Sequence, residues 1–389
     1  MSTDRWVSVG VASADDDLAA ATARAVERAR AGRQAALVLV MARWDLDLGA
    51  VAAGASEAAA GAAVAGTSTG TAFARGGQQA ADVVVTVIGG LGVSARTGAS
   101  TASDAHARGV EAVSVCGDSQ RAHSTVLLLP TGTDGQQQAM VRGAYSVLGP
   151  AVPLIGGGSD GDIAGRVSWQ LHGREVIENG LVAVRLDSDR PLGVGIGHGL
   201  ARTGEPMVVT DSEGLRVRGL DGRPALDAYL ERLGVQGGVE LDAGTLDAGA
   251  LAPLGFAHPL ALVRRRREEV RTIVGMDIAE RSLEFVSEVP PGSMVSVMSG
   301  DQDDMLAGAV RACADAVARL GGGEVAGMIV FSCIARRELL SHEGRLGEAR
   351  AALSAAAGPE VVLNYSCGEI ARVSGAAGCH NQTVVALAL

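Results

Sequence analysis

Residues 63–70 read AVAGTSTG, a short apolar strand that ends in a polar turn, and residues 361–369 repeat the pattern as VVLNYSCGE. In both cases a buried strand and a helix precede the stretch, with apolar strands at residues 36–41 and 328–331. Apolar runs of this length that alternate with helical segments are typical of α/β folds. The first and last 90 residues are therefore predicted to share one αβαβ unit.

The region between these two ends is predicted to be rich in strands. Four short apolar segments are spaced like antiparallel strands joined by tight turns: 166–171, 181–186, 193–196 and 207–210. The fold class that follows is α/β with α+β features, built as two lobes with a pseudo-duplicated αβαβ unit and a strand-rich middle. Like turns of the two copies should meet at a cleft between the lobes, a favoured place for small-molecule sites.

A composition shift suggests where the domains divide. Residues 234–254 are rich in Gly, Ala and Asp, which is typical of a linker. The prediction is an N-terminal domain at residues 1–233, a linker at 234–254 and a C-terminal domain at 255–389.

Composition excludes several classes of protein. The chain has 389 residues and a formal net charge of −11, with no lysine, so all 33 basic residues are arginine. A Walker-type phosphate loop and a pyridoxal-phosphate Schiff base both require a lysine. The acidic balance also provides no basic footprint for nucleic acid or an anionic membrane.

The lack of a recognisable targeting signal and the spacing of the cysteines predict a reduced cytoplasmic protein. No apolar run reaches the length of a membrane span, and the first residues lack the pattern of a signal peptide. The five cysteines are widely spaced, with no CxxC pair, so neither a zinc site nor a disulfide framework is indicated.

A glycine-rich loop follows the predicted strand at residues 152–155. Its residues Gly156, Gly157, Gly158, Ser159 and Asp160 could place backbone N–H groups around an anion. A tight turn that needs positive φ values is the alternative. The loop is not a dinucleotide fingerprint, because no helix clearly begins within it.

Cys333 follows a buried strand, with Arg336 and Arg337 close behind it. A nearby guanidinium favours the thiolate, so one hypothesis is a catalytic Cys333 with His380 as its base. A buried structural cysteine and a polar ligand-binding cluster are the alternatives, and the cluster is preferred.

Two further polar groups stand at strand ends near the C-terminus. Glu369 follows a glycine after a buried strand, where packing gives no reason for an acidic residue. His380 and Asn381 precede the last apolar strand. Turn and capping chemistry would explain these residues separately, but their shared position at strand ends predicts a polar site.

Six motifs together resemble the two FIST domains, and the resemblance spans nearly the whole chain. The motifs similar to the N-terminal domain are VAGTSTG (64–70), PLIGGG (153–158) with Asp160, and DGRPA (221–225). Those similar to the C-terminal domain are FSCIAR (331–336), YSCGEI (365–370) and HNQT (380–383).

The resemblance implies a sensory, ligand-binding module of bacterial signal transduction, proposed for small molecules such as amino acids. Some members of the family are described as haem-binding nitric-oxide sensors. Cys367 departs from the pattern, since the family usually has an aromatic residue there. No kinase, cyclase or methyl-accepting segment occurs within these residues, so output is predicted to pass through a separate signalling protein, and a homo-oligomer is left open.

The sequence thus predicts a sensor that holds an amino acid or similar small polar metabolite in the cleft. Arg336 would clamp an anionic group, Glu369 would accept from an amine or hydroxyl, and replacing Arg336 by alanine should abolish binding without changing the melting temperature. The full set of predicted ligand-binding residues is Ser68, Thr69, Gly156, Gly157, Gly158, Ser159, Asp160, Cys333, Arg336, Glu369, His380 and Asn381.

No metal and no cofactor are expected. A haem-binding gas sensor and an enzyme that uses Cys333 and His380 remain as alternatives.

Overall fold

The computed structural model describes residues 5–14, 17–74, 80–119, 121–162, 166–234, 248–263, 268–356, 360–372 and 378–389. It confirms a mixed α/β fold with two compact units. The first unit comprises Met1–Gly197, Gly308–Cys379 and Thr383–Leu389, and the second comprises His198–Ala307 and His380–Gln382. Most of the predicted linker, residues 235–247, lies outside the described residues.

The first module of the first unit is a βαβαβ segment followed by a returning strand. Its elements are β1 (Trp6–Ala12), α1 (Leu18–Arg30), β2 (Ala35–Arg43), α2 (Leu48–Ala58), β3 (Ala63–Thr69), β4 (Ala72–Ala74), β5 (Ala80–Ala81) and β6 (Val83–Gly89). Asp17 and Asp47 cap the N-termini of α1 and α2 by accepting from backbone N–H groups. The strand order is β1-β6-β2-β3, with β2 and β3 parallel and β6 antiparallel to both of its neighbours.

The second module repeats this arrangement within residues 93–188. Its elements are β7 (Val93–Ser100), α3 (Ala105–Ser114), β8 (His123–Pro130), α4 (Gln137–Leu148), β9 (Leu154–Gly157), β10 (Gly161–Asp162), β11 (Val167–His172), β12 (Glu175–Glu178) and β13 (Leu181–Ser188). The strand order is β7-β13-β8-β9, again first, fourth, second, third.

The second unit interrupts the third module after that module's first strand, β14 (Gly193–Gly197). Its elements are β15 (Ala201–Glu213), β16 (Arg216–Leu220), β17 (Arg223–Pro224), α5 (Ala225–Arg232), α6 (Ala248–Ala257), β18 (Leu260–Val263), β19 (Glu268–Arg271), β20 (Ile273–Asp277), β21 (Ser282–Phe285) and β22 (Met294–Ser299). They form an antiparallel sheet in the order β19-β18-β22-β15-β16-β21-β20. The core of this unit includes Leu226, Tyr229 and Phe285.

The third module resumes with the helix that follows β22, whose residues from Gly308 onward belong to the first unit. The remaining elements are α7 (Gln302–Ala318), β23 (Met328–Cys333), α8 (Ile334–Leu339), α9 (His342–Ala356), β24 (Val361–Ser366), β25 (Glu369–Arg372), β26 (Cys379–His380) and β27 (Val384–Ala388). The strand order β14-β27-β23-β24 is the same as in the other two modules.

The three modules exchange strands in a cycle. After its third strand, each module sends the chain to a neighbour: β4 pairs with β24, β11 pairs with β3, and β25 pairs with β9. The ends of the three third strands are therefore brought together. The predicted duplication of the two chain ends is present, and a third copy occupies part of the strand-rich middle.

The two faces of each sheet in the first unit pack into different apolar clusters. The inner faces contribute to one shared apolar core that includes Leu39, Leu127, Ile329 and Phe331. Separate clusters cover the outer faces under the helices. Within the described part of the chain, no helix has the length and apolar character required to span a bilayer.

Candidate functional site

Strand register identifies equivalent positions in the three modules. Inner-face pairs align Ala65 opposite Leu39, Ile155 opposite Leu127 and Val362 opposite Ile329. Four residues further along, the equivalent positions are three buried hydroxyl residues: Thr69, Ser159 and Ser366. The positions immediately after them are Gly70, Asp160 and Cys367, which we call the turn triad.

The members of the turn triad meet one another. The thiol of Cys367 donates to Asp160 Oδ1 over 3.5 Å. The Gly70 backbone also hydrogen bonds to the Asp160 carboxylate. A Cβ atom on Gly70 would overlap both Asp160 Oδ2 and Arg337 Nη1, so only glycine leaves these groups in place. Gly70 and Cys367 are partly exposed, whereas Asp160 is buried.

Asp160 is the charged centre of the triad. Its residue is 3% exposed, and its Oδ1 accepts from the Gly161 N–H at 2.9 Å. Arg337 Nη1 lies 3.8 Å from Oδ2, too far for a hydrogen bond. Burial raises the pKa of the Asp160 carboxyl, and the charge of Arg337 opposes that rise.

The guanidinium of Arg337 lies between the carboxylates of Glu338 and Asp160. Its Nε and Nη2 face Glu338 Oε1 at 3.0 and 2.9 Å, on the exposed side. Among the described residues, Nη1 has only the long contact to Asp160 as a polar interaction. Both N–H donors of Nη1 therefore remain for another acceptor.

The backbone of Cys367 is fixed by a hydrogen bond from the side chain of Gln137. Its carbonyl accepts from Gln137 Nε2 at 2.5 Å, and the same amide reaches the Thr131 carbonyl at 3.3 Å. Burial, and then the charge of Asp160, raise the pKa of the Cys367 thiol well above its ordinary value. The thiol is therefore a neutral donor at physiological pH and not a thiolate nucleophile.

The predicted residues Ser68 and Thr69 link the modules. Ser68 Oγ donates to the Asp160 carbonyl at 2.5 Å, and Thr69 Oγ1 donates to the Tyr365 carbonyl at 3.0 Å. Both side chains are buried. They fix the positions of the turns and do not face solvent.

The glycine-rich loop has the geometry of a turn. The N–H groups of residues 158–160 donate to the carbonyls of Gly368, Pro130 and Ser68. Because these donors are occupied, the loop does not offer them to an anion. Gly156 and Gly157 continue the sheet by pairing with β25, where Gly157 lies opposite Glu369.

Glu369 follows Cys367 by two residues and is fully buried. Ser366 Oγ donates to its Oε1 at 3.1 Å, and Thr383 donates through Oγ1 and N to its Oε2 at 3.0 and 3.3 Å. A further hydrogen bond joins its side chain to Cys333. Burial outweighs these bonds and raises the pKa of Glu369 to about 8.

We expect Glu369→Gln to alter how stability depends on pH. The folded-state pKa is about 8 and the ordinary value is 4.5, so between these values the unfolded chain releases a proton that the folded chain retains. Glu369 therefore costs the wild type stability as pH rises through this window, by at most about 1.4 kcal/mol per pH unit. The stability of Glu369→Gln relative to wild type should rise from pH 5 to pH 8.

Urea unfolding at several pH values measures this difference. Glu343→Gln serves as the control, because Glu343 has an exposed side chain and its difference from wild type should be flat. A flat difference for Glu369→Gln as well would mean that Glu369 is already ionised in the folded protein at pH 5.

Arg336 has a partner in the interior. Arg336 and Glu348 are both 0% exposed, and Arg336 Nε and Nη2 donate to Glu348 Oε1 at 2.9 and 2.6 Å. Ser332 Oγ and Tyr365 OH donate to Glu348 Oε2 at 2.8 and 2.9 Å. The sequence-based expectation that Arg336→Ala leaves the melting temperature unchanged is incompatible with this network, because the change would strand a buried carboxylate.

His380 and Asn381 belong to the second unit. Asn381 Nδ2 donates to the His380 carbonyl at 3.0 Å. Both residues are buried. Of the predicted site residues, the structure thus brings together Ser68, Thr69, Asp160, Cys333 and Glu369 with their loops, and it adds Gly70, Gln137, Arg337 and Cys367.

Comparison with known proteins agrees with the motifs. The family model of the FIST N domain matches residues 36–223, and that of the FIST C domain matches residues 225–372. FIST domains are associated with sensing small ligands in signal transduction. No curated protein matches the sequence. Among solved structures, a cyanuric acid hydrolase from A. caulinodans aligns with 99% of both chains at 10% identity and a TM-score of 0.37, a likeness too weak to carry an argument.

Proposed function

Because the chain belongs to the FIST family, we propose that it is a sensory protein whose ligand is a small dipolar metabolite of the amino-acid type, bound at the turn triad. The observation that carries this proposal is the incomplete ion pair of Asp160 and Arg337. A buried carboxylate stands 3.8 Å from a guanidinium nitrogen that makes no hydrogen bond within the described residues.

A ligand with both charges completes this arrangement. Its ammonium group donates to Asp160 Oδ2, and its carboxylate accepts from Arg337 Nη1. Both interactions are charge-assisted hydrogen bonds, which are roughly twice as strong as neutral ones. A ligand that carries only one of these charges satisfies one side of the pair and leaves the other unchanged.

The surrounding residues favour a small ligand. Gly70 lies close against the ion pair, where a Cβ atom would overlap Asp160 Oδ2 and Arg337 Nη1, and Gln137 holds the backbone of Cys367 beside it. The Cys367 thiol is a weak neutral donor that adds polarity without charge. An amino acid with a short side chain fits these features.

The strand exchange supports a sensory role. Asp160 follows the third strand of the second module, and Arg337 lies on α8 of the third module. Gly70 comes from the first module. A ligand at this point touches all three modules, so its binding free energy stabilises one arrangement of them. A separate signalling protein would read that arrangement.

A thermal-shift panel tests the proposal. We expect amino acids to raise the melting temperature of the wild type, and amines without a carboxylate, carboxylates without an amine, nucleotides and haem to have little effect. A ligand at about 100 times its Kd adds roughly 2.7 kcal/mol of stability. Asp160→Asn should remove the shift, because the amide has no negative charge for the ammonium group.

Arg350→Gln is the matched control for a lost charge, since Arg350 pairs on the surface with Glu343. It should keep the full shift. An equal shift in Asp160→Asn and wild type, or a shift produced by haem alone, would refute binding of a dipolar ligand at the triad.

A further inference from the structure

A cavity lies in the first unit, formed by other residues than the turn triad. Its volume is about 260 Å³. It lies where the start of β1, the turn between β6 and β7 and the end of β13 come together. The lining residues are Arg5, Leu91, Gly92, Val93, Ser188, Asp189 and Arg190.

Arg5 is held in place by neutral oxygens. Its Nη1 donates to the Pro191 carbonyl at 2.9 Å, to Ser188 Oγ at 3.2 Å and to the Arg190 carbonyl at 3.4 Å. Within the described part of the chain its Nε is buried and has no hydrogen-bond partner. The guanidinium is therefore oriented by the fold, while no carboxylate among the described residues neutralises it.

The charged residues around the cavity do not neutralise the positive charge of Arg5. Asp189 lines the same cavity, but Arg121 Nη1 holds both of its carboxylate oxygens, at 2.9 and 2.8 Å. Burial and the positive charge of Arg190 both lower the pKa of Arg5. An anion in the cavity would relieve the unfavourable environment of Arg5.

The remaining wall provides a hydroxyl donor and an apolar surface. Ser188 Oγ accepts from Arg5 Nη1 and from the Arg190 N–H, both at 3.2 Å, so its own proton can be donated to a ligand oxygen. Leu91 and Val93 contribute the apolar part.

We propose that this cavity binds a small organic anion, in which a carboxylate or phosphate contacts Arg5 and Ser188 and a short apolar group contacts Leu91 and Val93. The volume lies below the 300–1,000 Å³ common for drug-sized ligands, which indicates a small molecule. This inference does not depend on the proposed function of the turn triad.

Isothermal titration calorimetry with benzoate, phenyl phosphate and inorganic phosphate tests it. We expect wild-type protein to bind at least one organic anion, and binding to weaken at least tenfold in Arg5→Gln and by less in Ser188→Ala. Benzoate and phenyl phosphate distinguish the carboxylate from the phosphate source. Arg28→Gln, which changes an exposed arginine of the same module, should bind as wild type does.

Asp160→Asn separates the two sites, because it should leave this binding intact. Melting curves of Arg5→Gln show whether this variant folds. If it does not fold, the weaker anion binding expected for Ser188→Ala tests the site instead. No binding of the two organic anions by wild type at millimolar concentration, or the same Kd in wild type and Arg5→Gln, would overturn the proposal.

Discussion

Replacing Arg336 with methionine is expected to lower the free energy of unfolding by about 3–5 kcal/mol. Within the described residues, Glu348 would then keep its charge in the interior with only the hydroxyl donors Ser332 and Tyr365. Removing one partner of a buried pair costs far more than the pair itself contributes, because the remaining charge has lost both water and its counter-ion. Urea unfolding followed by circular dichroism measures this cost.

The double variant Arg336→Met, Glu348→Leu shows where the cost arises. With both charges removed, most of the lost stability should return. The exposed pair of Arg350 and Glu343 is the control, and Arg350→Met should cost less than about 1 kcal/mol. A cost below 1 kcal/mol for Arg336→Met would contradict a fully buried ion pair.

Gly70→Ala is expected to weaken ligand binding at the turn triad by about 100-fold or more. The new Cβ overlaps Asp160 Oδ2 and Arg337 Nη1, so the two charged groups must move apart. Both atoms are at the ends of side chains that can move aside. The free energy of unfolding of Gly70→Ala should therefore fall by only about 1 kcal/mol. A tenfold loss of affinity corresponds to about 1.4 kcal/mol of binding free energy. Displacing both charged groups that contact the ligand is therefore sufficient for the expected loss of affinity.

Gly323→Ala is the matched control for this substitution. A Cβ there meets only the Leu320 carbonyl, at an ordinary distance of 3.6 Å. Titration of the ligand selected by the thermal-shift panel compares the two variants. Unchanged affinity in Gly70→Ala would place the ligand elsewhere.

The apolar strands made much of the fold predictable. The two outer copies of the αβαβ unit have buried β2 and β23 strands that are almost wholly apolar, and the structure has both. The copy in the second module was harder to recognise, because β7 reads VSARTGAS and is half polar. Its polar residues Ser94, Arg96 and Thr97 are only partly buried and Ser100 is buried, so the hydrophobic pattern that marks a strand is weak there.

The site was predictable only in part, because long-range register determines it. The sequence indicated Asp160 and Glu369 as polar residues at strand ends, but the contacts among Gly70, Asp160 and Cys367 depend on the equivalence of three distant strands. The arginine was harder still. Arg336 and Arg337 are adjacent in α8 and project about 100° apart, so one enters the core and the other lies beside Asp160.

The role of Gln137 carried no signal in the sequence. It lies at the first position of α4 and reaches the backbone of Cys367, 230 residues away in the chain. Only the strand exchange between modules brings these residues together.

The central claim, that Asp160 and Arg337 together recognise a dipolar ligand, is tested most directly by calorimetric titration of one amino acid selected by the panel into wild type and Asp160→Asn. We predict saturable binding to wild type and a loss of at least 100-fold in Asp160→Asn, with the fold retained. Equal affinity in the two proteins would contradict the claim.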